Sequence, residues 1–370
     1  MRSVELFSGC GGLALGLARA GFEHDLMVEW KPEAVDTLML NKARGVEHVA
    51  DWNVVGGDVR KIDWTRFNGE IDLVAGGPPC QPFSIGGKHR GHTDDRDMWP
   101  EAVRAVREIA PAAFLFENVK GLARPAFSSY LEWILESLAR PDIKRKPGET
   151  HARHLVRLRR ERRRYDVLMF RVNAADFGAP QRRHRVIIAG IDRDLGIQLS
   201  PPNATHSAKR LAWDQDVTGT YWTRHRLRRQ TIIMPTLDIA PAELPWVTVR
   251  DVLRGLGAPN GRANHVLQDG ARQYVGHTGS PLDEPAKALK AGDHGVPGGE
   301  NMMVKDDGSV RYFTVREAAR LQGLPDDFKF KSVWSESMRQ LGNAVPVQLS
   351  EALGRWLYNL LDARRAENAA

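Results

Sequence analysis

Two groups in this 370-residue chain are placed as an ordinary core would not place them: a cysteine in a stiff loop and a carboxylate closing an apolar run. The cysteine is Cys80, one of two in the chain, within Gly76-Gly77-Pro78-Pro79-Cys80-Gln81-Pro82-Phe83-Ser84. Ahead of it, Ile71-Asp72-Leu73-Val74-Ala75 has the length and composition of a strand. The glycines and prolines then stop that strand and leave the loop few conformations. A thiol at the carboxyl end of a strand stands where open α/β sheets bind ligands. Position alone leaves both a nucleophile and a buried, inert thiol open. The carboxylate is Glu117, after Ala112-Ala113-Phe114-Leu115-Phe116 and before Asn118-Val119. A charge there is unfavourable unless it is used or paired. Further on, Gln181-Arg182-Arg183-His184-Arg185 leads into the apolar Val186-Ile187-Ile188-Ala189-Gly190. Alternation along a strand would put Arg183 and Arg185 on one face.

These groups need a scaffold, and the chain opens with one. Val4-Glu5-Leu6-Phe7 reads as a strand, Ser8-Gly9-Cys10-Gly11-Gly12 as a glycine turn, and Leu13-Ala14-Leu15-Gly16-Leu17-Ala18 as a helix. Strand, glycine turn and helix together open a nucleotide-binding α/β unit. Gly9-x-Gly11-x-x-Ala14 meets only the loose dinucleotide fingerprint, and a plain strand-to-helix turn reads the same way. A second strand over residues 24–28 ends at Glu29-Trp30. A carboxylate about 20 residues past the glycines suits a ribose hydroxyl pair. Trp30 could lie on an adenine ring or be a partly buried aromatic. A third strand ends at Val54-Val55-Gly56-Gly57-Asp58-Val59, so three strand tips offer cofactor-type residues. Helices are expected over residues 33–40, 98–110 and 131–139. Gly86-Gly87-Lys88-His89-Arg90-Gly91-His92 reads as a basic loop for phosphate contact or as an ordinary solvated loop.

The bulk properties fit an ordinary globular protein with a polyanionic partner. Hydrophobic content is 42%, charged content 27% and net charge +7. Two cysteines without a Cys-x-x-Cys pair argue against a disulfide scaffold or structural zinc, and the histidines lack metal-ligand spacing, so no metal is expected. No apolar run approaches the roughly 20 residues of a membrane span, and no signal peptide is evident, which makes a cytoplasmic location the expectation. Residues 141–164 are strongly basic, and both a DNA-backbone tether and a solvated charged helix fit them. After residue 200 the composition changes. Residues 264–304 are dense in glycine, histidine and proline, which suggests loops on a small β-rich framework.

Pro78-Pro79-Cys80-Gln81, Glu117-Asn118-Val119, Gln181-x-Arg183-x-Arg185 and Gly342-Asn343-Ala344-Val345-Pro346 follow one another in an order that resembles the DNA (cytosine-5)-methyltransferases of restriction-modification type. The resemblance covers most of the chain and implies a fold, a reaction and a set of site residues. The fold would be a doubly wound, Rossmann-like α/β sheet of the S-adenosylmethionine-dependent methyltransferases with a smaller β-rich target-recognition domain. Residues 1–199 would form the catalytic and cofactor-binding domain, residues 200–330 the recognition domain with its supporting helix, and residues 331–370 a segment returning to the first. Cys80 would add to C6 of a flipped-out cytosine in duplex DNA, and S-adenosylmethionine would supply a methyl to C5. Glu117 would meet N3, while Arg183 and Arg185 would orient the catalytic loop and reach O2.

The same resemblance gives the cofactor contacts as Phe7, Ser8, Gly9, Gly11, Glu29, Trp30, Asp58, Val59, Pro79 and Asn343. The family usually has aspartate where Glu5 stands, a mild departure. DNA contacts would come from Gln81, Ser84, Lys88, Arg90, Arg96, His277 and His294. Sequence choice would reside in residues 202–311. The implied partners are double-stranded DNA and a cognate restriction endonuclease acting on the same site without a stable complex, with no membrane and a nucleoid-associated location. Two rivals remain beside this reading. A tRNA-methylating relative would carry a Cys-Phe-Thr signature in the recognition region, and no cysteine follows Cys80. An NAD-type oxidoreductase would leave Cys80, Glu117 and Arg185 unexplained. An inactive DNA-binding relative is opposed by the intact catalytic set.

Overall fold

The computed structural model describes residues 1–79, 97–229, 239–275, 277–291 and 301–369, with residues 368 and 369 as backbone only. Cys80, Gln81, Ser84, Lys88, Arg90, Arg96 and His294 lie outside the described residues.

In chain order the first half forms β1 (Arg2–Leu6), α1 (Gly12–Arg19), β2 (Glu23–Glu29), α2 (Pro32–Ala43), β3 (Val54–Gly56), β4 (Leu73–Gly76), α3 (Trp99–Ile109), β5 (Ala113–Val119), α4 (Ser128–Ala139), α5 (His151–Leu158), β6 (Tyr165–Asn173), β7 (Gln181–Arg182) and β8 (His184–Asp192). Seven of these strands make one sheet in the order β3-β2-β1-β4-β5-β8-β6. The strands from β3 to β5 run parallel, and β8 is antiparallel to both of its neighbours. The strand order reverses between β1 and β4, the place where open α/β sheets bind their ligands.

Apolar runs buried on both faces account for this sheet. Val4, Leu6, Val74, Phe114, Phe116 and Ile188 pack on one face under α3, α4 and α5. Leu73, Ala75, Leu115, Ile187 and Ala189 pack on the other, where Leu13 and Leu17 of α1 meet Leu349, Leu353 and Leu357. The helix α3 shows the local logic. Trp99, Ala102, Val103, Val106 and Ile109 recur at helical spacing and are buried, Pro100 stands in the first turn, and Ala110 stops the helix at φ 54°.

The remainder forms β9 (His206–Ser207), α6 (Ala208–Ala212), α7 (Thr220–His225), β10 (Leu244–Pro245), α8 (Val249–Leu253), β11 (Ser280–Pro281), β12 (Ala286–Lys287), β13 (Met302–Val304), β14 (Val310–Tyr312), α9 (Val315–Leu321), α10 (Trp334–Asn343) and α11 (Val347–Ala369). The strands between residues 200 and 312 are only two or three residues long, so short helices share the framework there. A small core of Leu211, Tyr221 and Trp222 holds one end of it, with Leu227 and Trp246 against it. The other end is continuous with the catalytic half, since Ala286, Leu289, Phe313 and Val315 share a core with Ala14, Met27 and Leu38. Strand β12 also pairs with β7, Ala286 opposite Gln181. Helix α9 begins in a capping box of Thr314 and Glu317. Its buried Arg316 donates to the carbonyls of Ala263, Pro325 and Phe328, which ties residue 263 and the chain after α9 to the helix.

The final helix, α11, lies on α1. A Cβ on Gly16 would stand 2.3 Å from the Cβ of Ser350, so the two helices touch backbone to backbone.

The basic stretch packs as a cap on α4. Arg157 pairs with Glu149, Arg159 with Glu132, Arg162 with Asp194, Arg163 with Glu136, and Arg164 with Asp142 and Asp192. Asp192 stands beside Ala112, at the amino end of β5. Glu117 is at the other end of that strand, and seven residues at about 3.3 Å each put the two ends roughly 20 Å apart. A tether running along DNA at the site would need unpaired arginines at the carboxyl end. Arg159, Arg162, Arg163 and Arg164 follow the end of α5 at Leu158, so their pairs join the turn before β6 to its neighbours.

Candidate active site

The register of the sheet brings the strand tips into one row. Leu6 pairs with Val28 and with Gly76, Glu29 with Gly56, and Gly76 with Phe116. The residues after these pairs therefore line up as Asp58, Glu29, Phe7, Gly77–Pro79 and Glu117, one strand spacing of about 4.8 Å apart. The cofactor-type residues fill one side of the row and Glu117 the other. The segment leading to Cys80 emerges between them.

On the cofactor side, Phe7 holds φ 60°, a costly value for a bulky residue that marks the β1–α1 turn as a constrained site. Ser8 is buried, its N–H donating to Val28. Glu29 is 7% exposed, and its two carboxylate oxygens accept from the backbone N–H groups of Gly9 and Lys31, both at 2.7 Å. These bonds fix the carboxylate against the glycine turn and leave each oxygen a second lone pair. Trp30 next to it is 60% exposed, an indole face open to a ring. The Asp58 carboxylate meets Arg60, whose Nε donates to both oxygens at 3.0 and 2.9 Å, and this hydrogen bond holds its pKa below the usual range. Nothing in the sequence reading anticipated Arg60. Val59 is buried, its carbonyl accepting from Arg104 at 2.7 Å.

Two glycines are required by close approach. A Cβ on Gly76 would stand 2.5 Å from the Leu6 carbonyl oxygen, and one on Gly12 would stand 2.4 Å from the Val345 carbonyl oxygen. The second approach brings the link between α10 and α11, which follows the exposed Asn343 at the end of α10, against the glycine turn. Residues 333 positions apart in sequence, 345 minus 12, thus come to the same place.

On the other side, Glu117 is 8% exposed and forms an ion pair with Nε of Arg185. The next residue, Asn118, donates from Nδ2 to the Pro78 carbonyl at 3.0 Å and accepts from Val119 N–H at 2.9 Å. The chain two residues before Cys80 is thereby pinned to the strand that carries Glu117. Pro79 follows, half-buried. The motif contained Asn118, but its anchoring role appears only when Pro78 is seen beside it.

Arg183 differs from Arg185. It is 2% exposed, sits in the step between β7 and β8, and donates to the carbonyls of Leu289 at 3.3 Å and Gly342 at 2.8 Å. Burial, with Arg185 close by, lowers its pKa well below the usual guanidinium value. Arg183 thus precedes the regular strand that carries Arg185. Gln181 is fully buried and donates to the carbonyl of Leu321 and to Gln322 Oε1, at 2.9 and 3.1 Å. His277 stands away from this row, in a turn where its ring lies 4.2 Å from that of Tyr274.

The other cysteine is inert. Cys10 is 1% exposed, its Sγ–H donates to the Gln340 carbonyl at 3.8 Å, and burial pushes its pKa up to about 12. Close to it, Glu5 is 1% exposed, with Oε2 unpartnered. Burial first and Glu29 second raise its pKa well above the ordinary carboxylate value.

A doubly wound sheet with an antiparallel strand at β8, a glycine turn after β1 and carboxylates at the next two strand tips defines the Rossmann-like methyltransferase class, whose methyl donor is S-adenosylmethionine. The C-5 cytosine-specific DNA methylase model matches residues 1–359. The chain is 33% identical to the Type II methyltransferase M.NgoMIV of Neisseria gonorrhoeae, covering 99% of both chains. It is 32% identical to the Type II methyltransferase M.PspPI of Psychrobacter sp. over 97% of this chain and 79% of that one. Among solved structures, the S. pombe Dnmt2 methyltransferase aligns at 18% identity and TM-score 0.58, covering 98% of this chain and 99% of its own, which shows the shared fold. The chain belongs to the C-5 cytosine-specific DNA methylase family, and it is a DNA cytosine-5 methyltransferase.

Proposed function

We infer that the protein methylates C5 of one cytosine within a specific duplex sequence, as the modification half of a Type II restriction-modification system, through covalent addition of Cys80 to C6. The observation that carries this reading is the pair Glu117–Arg185 beside Pro78, with the buried Cys10 removed as a competing thiol. C5 of cytosine is a poor nucleophile. Addition of the Cys80 thiolate to C6 drives electrons toward N3 and O2, where Glu117 supplies a proton and Arg185 a positive charge. The cofactor supplies an electrophilic methyl on a sulfonium centre. Loss of the C5 proton then expels the Cys80 sulfur and restores the aromatic ring.

Glu29 suits the ribose hydroxyls, Trp30 and Val59 the faces of the adenine, Asp58 its amino group, and Phe7, Ser8, Gly9, Gly11, Pro79 and Asn343 the rest of the same cradle. The constrained Phe7 and the close approach at Gly12 fit a turn shaped for a ligand. Arg183 acts by positioning, since both of its terminal groups donate to carbonyls. Residues 202–311 carry the choice of sequence, and the target cytosine is flipped from the stack to reach the row of strand tips. A cognate endonuclease acts on the same site without a stable complex, and both work in the cytoplasm on nucleoid DNA. No helix among the described residues is long and apolar enough to cross a membrane.

Duplex DNA containing 5-fluorocytosine in place of cytosine tests the chemistry, because fluorine at C5 blocks the final elimination. The protein is expected to form a stable adduct whose DNA-linked peptide contains Cys80, while Cys80→Ser forms none and keeps its affinity for S-adenosylmethionine. An adduct on the peptide containing Cys10 would overturn the assignment.

A further inference from the structure

The described chain is tied down on both sides of residues 80–96, and the second tie is unlike the first. Upstream, Asn118 of β5 holds Pro78. Downstream, the chain is described again from Asp97, whose Oδ1 accepts from Trp99 N–H at 3.1 Å and so starts α3. Asp97 Oδ2 accepts from the Tyr130 hydroxyl of α4. Trp99 is fully buried, and its ring stands edge-on to Phe116, 5.8 Å away, one residue before Glu117. Both anchors therefore return to the strand tip that bears Glu117.

Tyr130 is itself braced by the stretch that includes α5. Its ring stacks on Trp133 at 5.5 Å and 19°. The Trp133 Nε1–H donates to His154 Nδ1 at 3.0 Å. That bond makes Nδ1 the acceptor, so His154 Nε2 carries the proton it donates to the Ile143 carbonyl at 2.7 Å. His151 closes the edge of Trp133 with ring centroids 4.3 Å apart. Residues 143–154, whose basic neighbours suggested DNA contact, thus end in a brace under Tyr130.

We propose that Tyr130 is a positioning residue for methyl transfer, holding Asp97 where the described chain resumes after Cys80, and that the stretch around His151–Leu158 braces it. A hydroxyl–carboxylate bond at the root of a catalytic segment restricts where that segment can place its thiol. A small misplacement at a reacting centre lowers the rate far more than the strength of one hydrogen bond would suggest. The inference rests on the reading of Cys80 as nucleophile, but its test need not.

The test compares Tyr130→Phe, Asp97→Ala and the double variant on a long unmethylated phage DNA, which offers every short recognition sequence. Labelled S-adenosylmethionine gives kcat and the KM for DNA, calorimetry gives cofactor affinity, and thermal melting reports folding. Loss of a charge-assisted hydrogen bond that matters in the transition state is expected to lower kcat about tenfold. KM and cofactor affinity are expected to stay near wild type, as is the Tm of Tyr130→Phe. Asp97→Ala also loses the bond to Trp99 N–H and is assayed at a temperature where it is folded. Tyr130→Phe is expected to add nothing in the Asp97→Ala background, because each removes the same bond. An unchanged kcat in Tyr130→Phe overturns the proposal, as do losses in the two variants that multiply. If Tyr130→Phe does not fold, Asp97→Ala carries the kcat test alone. If wild-type protein forms no adduct with 5-fluorocytosine DNA, the Cys80 reading falls, while these kcat values still decide the role of Tyr130.

Discussion

Arg185 of β8 and Glu117 of β5 pair on the diagonal of an antiparallel ladder, since Arg185 lies opposite Val119 and Glu117 opposite Ile187. The register of two buried strands thus holds a carboxylate and a guanidinium together, with side chains only 10% and 12% exposed. The two residues are 68 positions apart in sequence, 185 minus 117, and need the strand crossing to meet.

Removing either partner should have a different consequence. Glu117→Gln keeps the shape and loses the acid, and is expected to lower methyl transfer by roughly 10²–10⁴-fold with cofactor affinity unchanged. Arg185→Ala leaves a buried carboxylate alone and is expected to destabilise the fold by about 3–5 kcal/mol in urea unfolding. A stable Arg185→Ala protein would mean that the pair does not hold Glu117.

Arg183→Met strips the donors from the carbonyls of Leu289 and Gly342. Each unsatisfied buried carbonyl costs about 1–3 kcal/mol, so Tm should fall clearly. At a temperature where the variant is still folded, its rate of adduct formation with 5-fluorocytosine DNA should stay close to wild type. A large loss of rate at unchanged Tm would put Arg183 in contact with the base.

Replacing Arg159, Arg160, Arg162 and Arg163 together with Gln should leave the salt dependence of DNA binding unchanged. Three of the four have carboxylate partners, and the stretch begins β6 at the far end of the sheet. Each arginine–phosphate pair removed would flatten the log–log slope by about 0.9, so a slope reduced by about two or more would restore the DNA-tether reading.

Glu5→Gln should gain stability over wild type as pH rises. The folded-state pKa of Glu5 is raised, mainly by burial, so the folded protein holds a proton that the unfolded chain releases above the ordinary carboxylate value. The stability that this proton supports is present at low pH and is lost progressively with rising pH. Glutamine is neutral throughout and escapes the loss. Urea unfolding of both proteins at about pH 5 and about pH 8 measures this, and a difference that shrinks toward the higher pH would show Glu5 to be ionised in the fold.

Much of the scaffold was legible because burial on both sheet faces writes itself as apolar runs. Ala113–Val119 and the helix Trp99–Ile109 lie within one residue of the spans read from sequence. The last described turns of α11, residues 362–367, are mostly exposed and charged, with no apolar stripe to mark them. Residues 200–312 resisted reading for the opposite reason. Its strands are two or three residues long, too short for alternation to register, and its stability comes from side chains such as Tyr221, bonded to Thr248 and Asp283.

The sequence by itself determined which groups could do chemistry. A thiol in a proline-stiffened loop, a carboxylate after an apolar strand and glycines before a helix are local facts, and local sterics and burial enforce them. What only the tertiary structure decided is which of these groups meet, and which look-alikes are set aside. The strand order aligns Glu29, Phe7 and Glu117 in one row, and the packing of α3 against α4 brings Tyr130 to Asp97. Cys10 and Arg183 resemble functional residues in type but are buried among apolar groups and backbone carbonyls. Partners distant in sequence are chosen by how elements cross and by which polar atoms would otherwise be left unsatisfied, and neither quantity exists until the chain has folded.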